Sequence, residues 1–287
     1  MEYITTLLSE SARNLIDAYK TLLIPALFFL VLAIALKGPG WIKQVKDAIP
    51  ESELNLKILT FNVIVSTPIM AVILTFVQRF LENSGLILLT PAHWANLPVP
   101  VMLLIVLFVG DFIGYWRHRL EHTPLLWPVH AVHHSDTHMT WLTEMRWHPL
   151  NLLSISGLGG GLMLMLGFPA YAVLFNGMAR HNYGYLIHSN LPWTYGPLGK
   201  IFVSPAMHRW HHSAESKAFD TNFAEFFCVF DRAFGTYYLP GVCDGPLGVG
   251  DPIEPTLRSQ MMYPFTPKAY ARLFKRFKRK TPLVPGE

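Results

Sequence analysis

Charge is what this chain has little of. Asp, Glu, Lys and Arg make up 15% of its 287 residues, and 51% are hydrophobic. A soluble domain carries roughly 25% charged residues, so the deficit points to lipid. Cysteine is scarcer still: Cys228 and Cys243 stand alone. Two thiols make no disulfide framework, and both read as packing residues. No basic stretch precedes a short apolar one at the start, where Glu2, Glu10, Arg13, Asp17 and Lys20 are scattered through residues 1–21. A cleavable signal peptide is therefore not expected, and the first apolar run reads as an anchor that stays. No nicotinamide or flavin fingerprint occurs. The glycines of Gly157-x-Gly159-Gly160-Gly161 fall inside an apolar run and read as close helix packing.

Long apolar runs are present. Residues 22–36, 58–77 and 97–117 are free of charge apart from Asp111 and Arg117 in the last. About 20 apolar residues span the hydrocarbon, so the second and third suffice, and the first does if its flanks from Tyr19 join it. A fourth region, 150–179, is interrupted by Gly159–Gly161 and by Gly167-Phe168-Pro169. It reads as a helical hairpin with arms near 149–166 and 169–187, either spanning or re-entrant. Buried core helices of a soluble protein are the alternative. The fold class is all-α: an integral-membrane helical bundle with a histidine-rich two-metal site on the cytosolic side. The expected division is membrane anchor helices over 1–96, a histidine-bearing catalytic unit over 97–240, and a C-terminal segment over 241–287.

Lysine and arginine set the orientation. Residues 37–57, read as a loop, hold Lys37, Lys43, Lys46 and Lys57, and the tail 268–280 holds seven more basic residues. Placing these on the cytoplasmic side puts every histidine cluster and the C-terminus there too. The tail, with Tyr270, Leu273, Phe274 and Phe277 interleaved, reads as an amphipathic helix on anionic lipid or as a solvated terminus. It largely accounts for the pI near 9.0, so no nucleic-acid partner is needed.

Twelve of the 13 histidines lie between positions 118 and 212. They form H-x3-H (His118, His122) and two H-x2-H-H clusters (His130, His133, His134; His208, His211, His212). Imidazole is a metal ligand, and residues three and four apart share a helix face. A mononuclear catalytic site usually takes about three protein ligands, so eight donors suggest two metals. Adjacent residues diverge by about 100° on a helix, so His133 is expected to serve one metal with His130 while His134 serves the other. His188, at the end of the second hairpin arm, reads as a further ligand. His181, seven residues earlier on the same face, is a candidate as well. Asp111 is costly in an apolar helix and is expected to hydrogen-bond a ligand histidine. Arg146 and His148 are candidate outer or substrate-orienting residues. His138 reads as loop surface, and His93 as lying on the opposite side.

These residues resemble the fatty acid hydroxylase/sterol desaturase superfamily of integral-membrane diiron enzymes. The resemblance rests on Asp111-Phe-x-x-Tyr115-Trp-x-His118-Arg119-x-x-His122, on Leu126-Trp-x-x-His130-x-Val-His133-His134-Ser135, and on Arg146-x-His148-Pro149. It continues through His188-Ser-Asn190, Ser204-Pro-x-Met-His208-x-x-His211-His212, and Asn222-Phe to Asp231-Arg-Ala-Phe234-Gly235-Thr236. It covers about 108–240; the seven-residue gap between His181 and His188 does not match a family spacing. It implies two iron ions (zinc can replace them on expression), with O2 and outside electrons oxidising a lipid C–H bond. The outcome is hydroxylation or desaturation of a sterol, fatty acyl chain or related lipid. It also implies Asn222 and Asp231 as outer residues of the site. A separate electron donor is expected, of cytochrome b5, ferredoxin or reductase type. Substrate is expected to enter from lipid between the helices around 97–117 and 150–187. The competing readings are a membrane metal transporter, a haem electron carrier with paired axial histidines, and a zinc hydrolase. The last would need a base placed as in H-E-x-x-H, and Glu121 beside His122 is not so placed.

Overall fold

The computed structural model describes residues 2–251 and 253–270. The basic segment beyond Tyr270 lies outside them. Among the described residues there is no strand, only two isolated bridges, Phe202–Phe227 and Ser213–Leu247. Helix α1 (Glu2–Thr21) passes through a turn at Leu22 into α2 (Leu23–Lys37). Helix α3 (Gly40–Phe61) continues through a π-helical turn, Asn62–Ser66, into α4 (Thr67–Asn83). Helix α5 (Val99–Glu121) follows. Three segments are long and apolar enough to cross a membrane: Glu10–Lys37, Gly40–Asn83 and Val99–Glu121. The flanks of the first run do join it.

The segment 37–57 is not a loop. Apart from its first few residues it is the leading half of the 44-residue helical run Gly40–Asn83. Its charges alternate at helical spacing: Lys43 pairs with Asp47 and Lys57 with Glu53, each across one turn at 2.7 Å. Such pairs support an exposed helix. The opposite face of the same helix is buried, and it carries Glu51, Asn55, Asn62 and Ser66 among Leu54 and Ile58. That face, as shown below, is a wall of the histidine site.

The hairpin is built from α7 (Pro149–Leu153), a π-helical turn (Ser154–Gly159) and α8 (Gly160–Met165), returning as α9 (Ala170–His188). Its tip meets the 84–98 segment: Leu88 N–H donates to Met165 O, and Trp94 Nε1 to Leu166 O, at 2.8 and 2.9 Å. Gly167 has φ +62°, and a Cβ there would lie 2.2 Å from Leu89 O, so only glycine turns the chain here. The hairpin thus runs the length of α5, from the histidines to the far loop that carries His93. The glycines at 159 and 160 face open space, and a Cβ on Gly161 would only touch Leu81 and Val77. Close packing does not explain them, and Gly159 instead ends the π-helical turn.

The close helix approach lies elsewhere. Gly110 and Gly114, one turn apart on α5, face Asn176 and Arg180 on α9, where added Cβ atoms would come within 2.3 and 2.2 Å of the side chains. Arg180 donates to Gly110 O at 2.6 Å and also pairs with Glu225, so it has little freedom to withdraw. Below this point Met102, Val106, Met163, Phe168 and Ala172 pack as one cluster. The interface between α5 and the hairpin is therefore filled, which corrects the expectation that substrate enters there. Gly114→Ala is expected to lower stability by about 1–3 kcal/mol, the usual cost of overpacking. A thermal melt in detergent checks this, and an unchanged midpoint would count against the packing described.

Candidate metal centre

The histidines come from four short stretches at one end of the bundle. Helix α5 brings His118 and is capped by His122; α6 (Trp127–His134) carries His130, His133 and His134. Helix α9 ends on His188, and α10 (Pro205–His211) carries His208 and His211, with His212 at its C-cap. Both short helices start with proline in the first turn, where its missing N–H costs nothing. Ser204 caps α10 by accepting from Met207 N–H. Burial of the short helices does the rest, since every residue of α6 except Val129 is buried.

Nine imidazoles fall into two groups able to hold a metal ion. One is His118, His122, His130, His134 and His211; the other is His133, His188, His208 and His212. Within each group the ligand atoms all lie within 4.8 Å of one another. The expected pairing of His130 with His133 is corrected. His130 goes with His134, and His208 with His212, while the remaining member of each triplet crosses to the other group. Helix geometry explains it. Four residues turn about 400°, an offset of roughly 40°, whereas three turn about 300°, an offset of roughly 60° the other way. Each doublet therefore straddles the two groups and stitches them together. His134 and His212 stack between them, with ring centroids 4.3 Å apart.

The hydrogen bonds indicate which nitrogen faces inward. His118 Nδ1 donates to Phe223 O and His211 Nδ1 to Thr221 O, both at 2.7 Å. Each Nε2 of this neutral pair then carries a lone pair, yet the two lie 2.9 Å apart. His188 Nδ1 meets Gly184 O at 2.7 Å and His133 Nδ1 meets Arg146 O at 3.3 Å, and their Nε2 atoms lie 3.1 Å apart. Lone pairs that face each other at this distance repel unless a cation sits between them. In addition, both ring nitrogens of His212 and Nδ1 of His208 are buried with no hydrogen-bond partner among the described residues, an expensive arrangement for a polar group. Burial, reinforced by neighbouring rings, holds His130, His133, His134, His208, His211 and His212 well below the usual imidazole pKa. They are neutral, as ligation requires. On these grounds the residues fit two metal ions.

The carbonyls that orient the rings are themselves fixed. The segment 221–227 is pinned by three side chains singled out in the sequence. Asn222, at φ +59°, donates to Met207 O and Tyr238 O and accepts from Tyr238 N–H. Asp231 accepts from Phe223 and Ala224 N–H, and burial pushes its carboxyl up to about 6. Asp111 accepts from Glu225, Phe226 and Phe227 N–H. The hydrogen bond to a ligand histidine expected of Asp111 is thus corrected: it anchors instead the segment whose carbonyls meet the histidines.

Arg146 is fully buried. It donates to Asn55 Oδ1 at 2.6 Å and Ser135 Oγ at 3.2 Å, and pairs with Glu51. Asn55 also donates to Asp136, and Asn62 to Trp147 O. The buried face of α3 and the turn after it thus hold the 135–147 segment under His133. His148 caps α7 through Nδ1, with Nε2 against Met261 O, and joins neither group. Nor does His181. It lies two turns up α9, with Nε2 2.9 Å from Tyr185 OH and Nδ1 3.4 Å from Glu144. Seven residues preserve the face but add about 10 Å along the axis.

Two carboxylates were missed. Glu121 lies 3.4 Å from His130 Nδ1 and is gripped by Arg117, which also reaches Glu225. Glu144 lies 3.3 Å from His188 Nδ1. Each group therefore has a histidine backed by a largely buried carboxylate, and His122 Nδ1 of the first group also lies 3.5 Å from the exposed Asp220; such partners orient metal-bound imidazoles. The spacing of Arg117 and Glu121 is the only signal the sequence offers. Replacing Glu144 by Gln is expected to weaken metal binding by about 10–100-fold, the usual effect of losing such a partner. Competition with a metal chelator measures this, and an unchanged retention curve would deny Glu144 the role.

Residues 103–236 match the fatty acid hydroxylase family model. The chain is 31% identical over 180 residues to an ornithine lipid hydroxylase of Rhizobium tropici, covering 62% of this chain and 54% of that protein. It is 34% identical over 134 residues to an alkylglycerol monooxygenase of Danio rerio, covering 45% and 29%. It is 32% identical over 139 residues to a Delta(7)-sterol 5(6)-desaturase of Gibberella zeae, covering 47% and 37%. The matched segment thus spans about half or less of these relatives. No solved structure matches. The matched stretch carries all the grouped histidines, and over it this chain is similar to the fatty acid hydroxylase family and to lipid hydroxylases, monooxygenases and a sterol desaturase.

Proposed function

We propose that this chain is a membrane-bound diiron oxygenase that hydroxylates or desaturates a C–H bond of a lipid. The observation that carries the reading is the pair of adjoining histidine groups, with ring nitrogens converging in a buried chamber beside helical segments long and apolar enough to cross a membrane. All-nitrogen sites of neutral imidazole suit iron. The nine grouped histidines are the ligands in this reading, and His181 is left outside.

When bound, the metal pair supplies O2 activation: for hydroxylation, RH, O2, two electrons and two protons give ROH and water. The protein's part is geometric. Carbonyls of Gly184, Thr221 and Phe223, with that of Arg146, fix ring orientation. Glu121 and Glu144 hold two rings from behind, and the buried residues around them keep bulk water from the chamber. A narrow cleft of about 70 Å³ between Trp127, Phe219 and Asp220 reaches His122, His134 and His211. It offers small molecules a path to one group. Electrons come from a separate donor, and the histidine end of the bundle lies on the cytoplasmic side with the Lys-rich start of α3.

Purified protein loaded with Fe(II) in lipid nanodiscs, given a chemical reductant and 18O2, tests the proposal. Incorporation of 18O into a co-purifying or added lipid, or a new double bond, is expected. Absence of both across sterol, fatty acyl and glycerolipid panels, with iron bound, would overturn it.

A further inference from the structure

A cavity of about 440 Å³ lies outside the histidine chamber, between α2, the start of α3 and the 137–142 segment. Its two ends differ in chemistry. At the membrane end it is walled by Phe29, Leu30, Ala33, Trp141 and Leu142. At the other end stand Lys37 and Arg209, with the polar groups of Ser189 and Asn190. Helix α2 is fastened at both ends of this space. Phe29 stacks on Trp141 with ring centroids 5.8 Å apart, and Lys37 donates to Asn190 O at 2.9 Å. Between the fastenings the helix stands off from the body.

Two cations facing one apolar cavity is the unusual feature. Lys37 bonds to Gln44 and to a carbonyl, and Arg209 donates from Nε to Cys243 O. Neither forms an ion pair among the described residues. The cavity's one carboxylate, Asp47, is engaged by Lys43 at 2.7 Å. His138 lines the space too, with Nδ1 against Thr137 Oγ1. Asp136 and Asp244 act on Arg209 only through space. An anion between Lys37 and Arg209 would relieve their repulsion, and an apolar chain would fill the wall below.

We propose that this cavity is a binding site for an acidic lipid. Its anionic headgroup lies between Lys37 and Arg209, and its chain descends into the bilayer along Phe29, Leu30 and Ala33. Ser189 follows His188 and Arg209 follows His208 in the chain, so the headgroup lies directly behind two histidines of the second group. The site does not depend on the oxygenase reading, because its occupancy can be read without turnover.

The protein reconstituted in phosphatidylcholine vesicles, probed by electron spin resonance with spin-labelled phosphatidylglycerol or spin-labelled phosphatidylcholine, tests it. The acidic probe is expected to associate several-fold more strongly than the neutral one. Lys37→Gln should cut that preference by about fivefold, the weight of one cation at a lipid surface, and Lys37→Arg should restore it. Ala33→Trp should displace both probes from the site while leaving metal content normal. Lys46→Gln, a charge outside the cavity, should change nothing, and 10 mM inorganic phosphate should not compete if the chain is part of recognition. Equal association of the two probes, or an equal loss on Lys46→Gln and Lys37→Gln, would overturn the proposal. Full displacement by free phosphate would reduce the site to an anion site and overturn its lipid part.

Discussion

Alanine at His133 or at His211 abolishes turnover while the chain still inserts in the membrane. Each is the member of its triplet that crosses to the other group, so in the proposed site each change would remove a ligand from one metal and loosen the link to the second. His211 leaves Thr221 O without its donor, and His133 leaves Arg146 O without its own. The loss should exceed the ~10–100-fold that follows removal of an outer partner. His181→Ala, by contrast, should retain activity, since that ring contacts Tyr185 and Glu144 rather than the groups. Product formation from the three variants in nanodiscs, normalised to inserted protein, distinguishes them. Substantial activity in both His133→Ala and His211→Ala would refute the ligand assignment.

The second large effect lies in the wall, not among the rings. Glu51→Leu strands Arg146, a fully buried cation whose only charged partner among the described residues is Glu51. Removing one partner of a buried pair costs about 3–5 kcal/mol, because the remaining charge is left without compensation. Thr137, which donates to the same carboxylate, loses its acceptor as well. Thermal unfolding in detergent should show a large drop in midpoint. Metal should be lost with it, since Arg146 O orients His133 and the guanidinium holds the 135–147 segment. The paired change Glu51→Leu with Arg146→Met should recover much of the stability, since an apolar pair can replace a buried ion pair. A single variant as stable as the parent would show that the wall is held in another way.

The histidine spacing made the site legible, and the apolar runs made the membrane legible, because both are local periodic signals. The division of the rings between two groups was half legible. The doublets announce it, but which partner stays with which ring depends on whether the ~40° offset of four residues or the opposite ~60° offset of three faces the shared centre. The polar face Glu51–Asn55–Asn62–Ser66 was hidden by its neighbours: the lysines around it suggested a loop, and only the burial of one side reveals a helix serving the site. Glu121 and Glu144 were hidden because their partners, His130 and His188, come from other elements. Asp111 was recognised as costly, yet its partners are backbone N–H groups over 110 residues away, which no spacing encodes. The filled seam between α5 and α9 likewise depends on Gly110 and Gly114 meeting Asn176 and Arg180, a contact between distant segments.

The most direct test is a metal count joined to X-ray absorption on the purified protein. Two iron ions per chain, each in a shell of histidine nitrogens, is the expected result, with His211→Ala depleting that occupancy. One ion per chain, a haem spectrum, or a shell dominated by ligands other than imidazole would contradict the account.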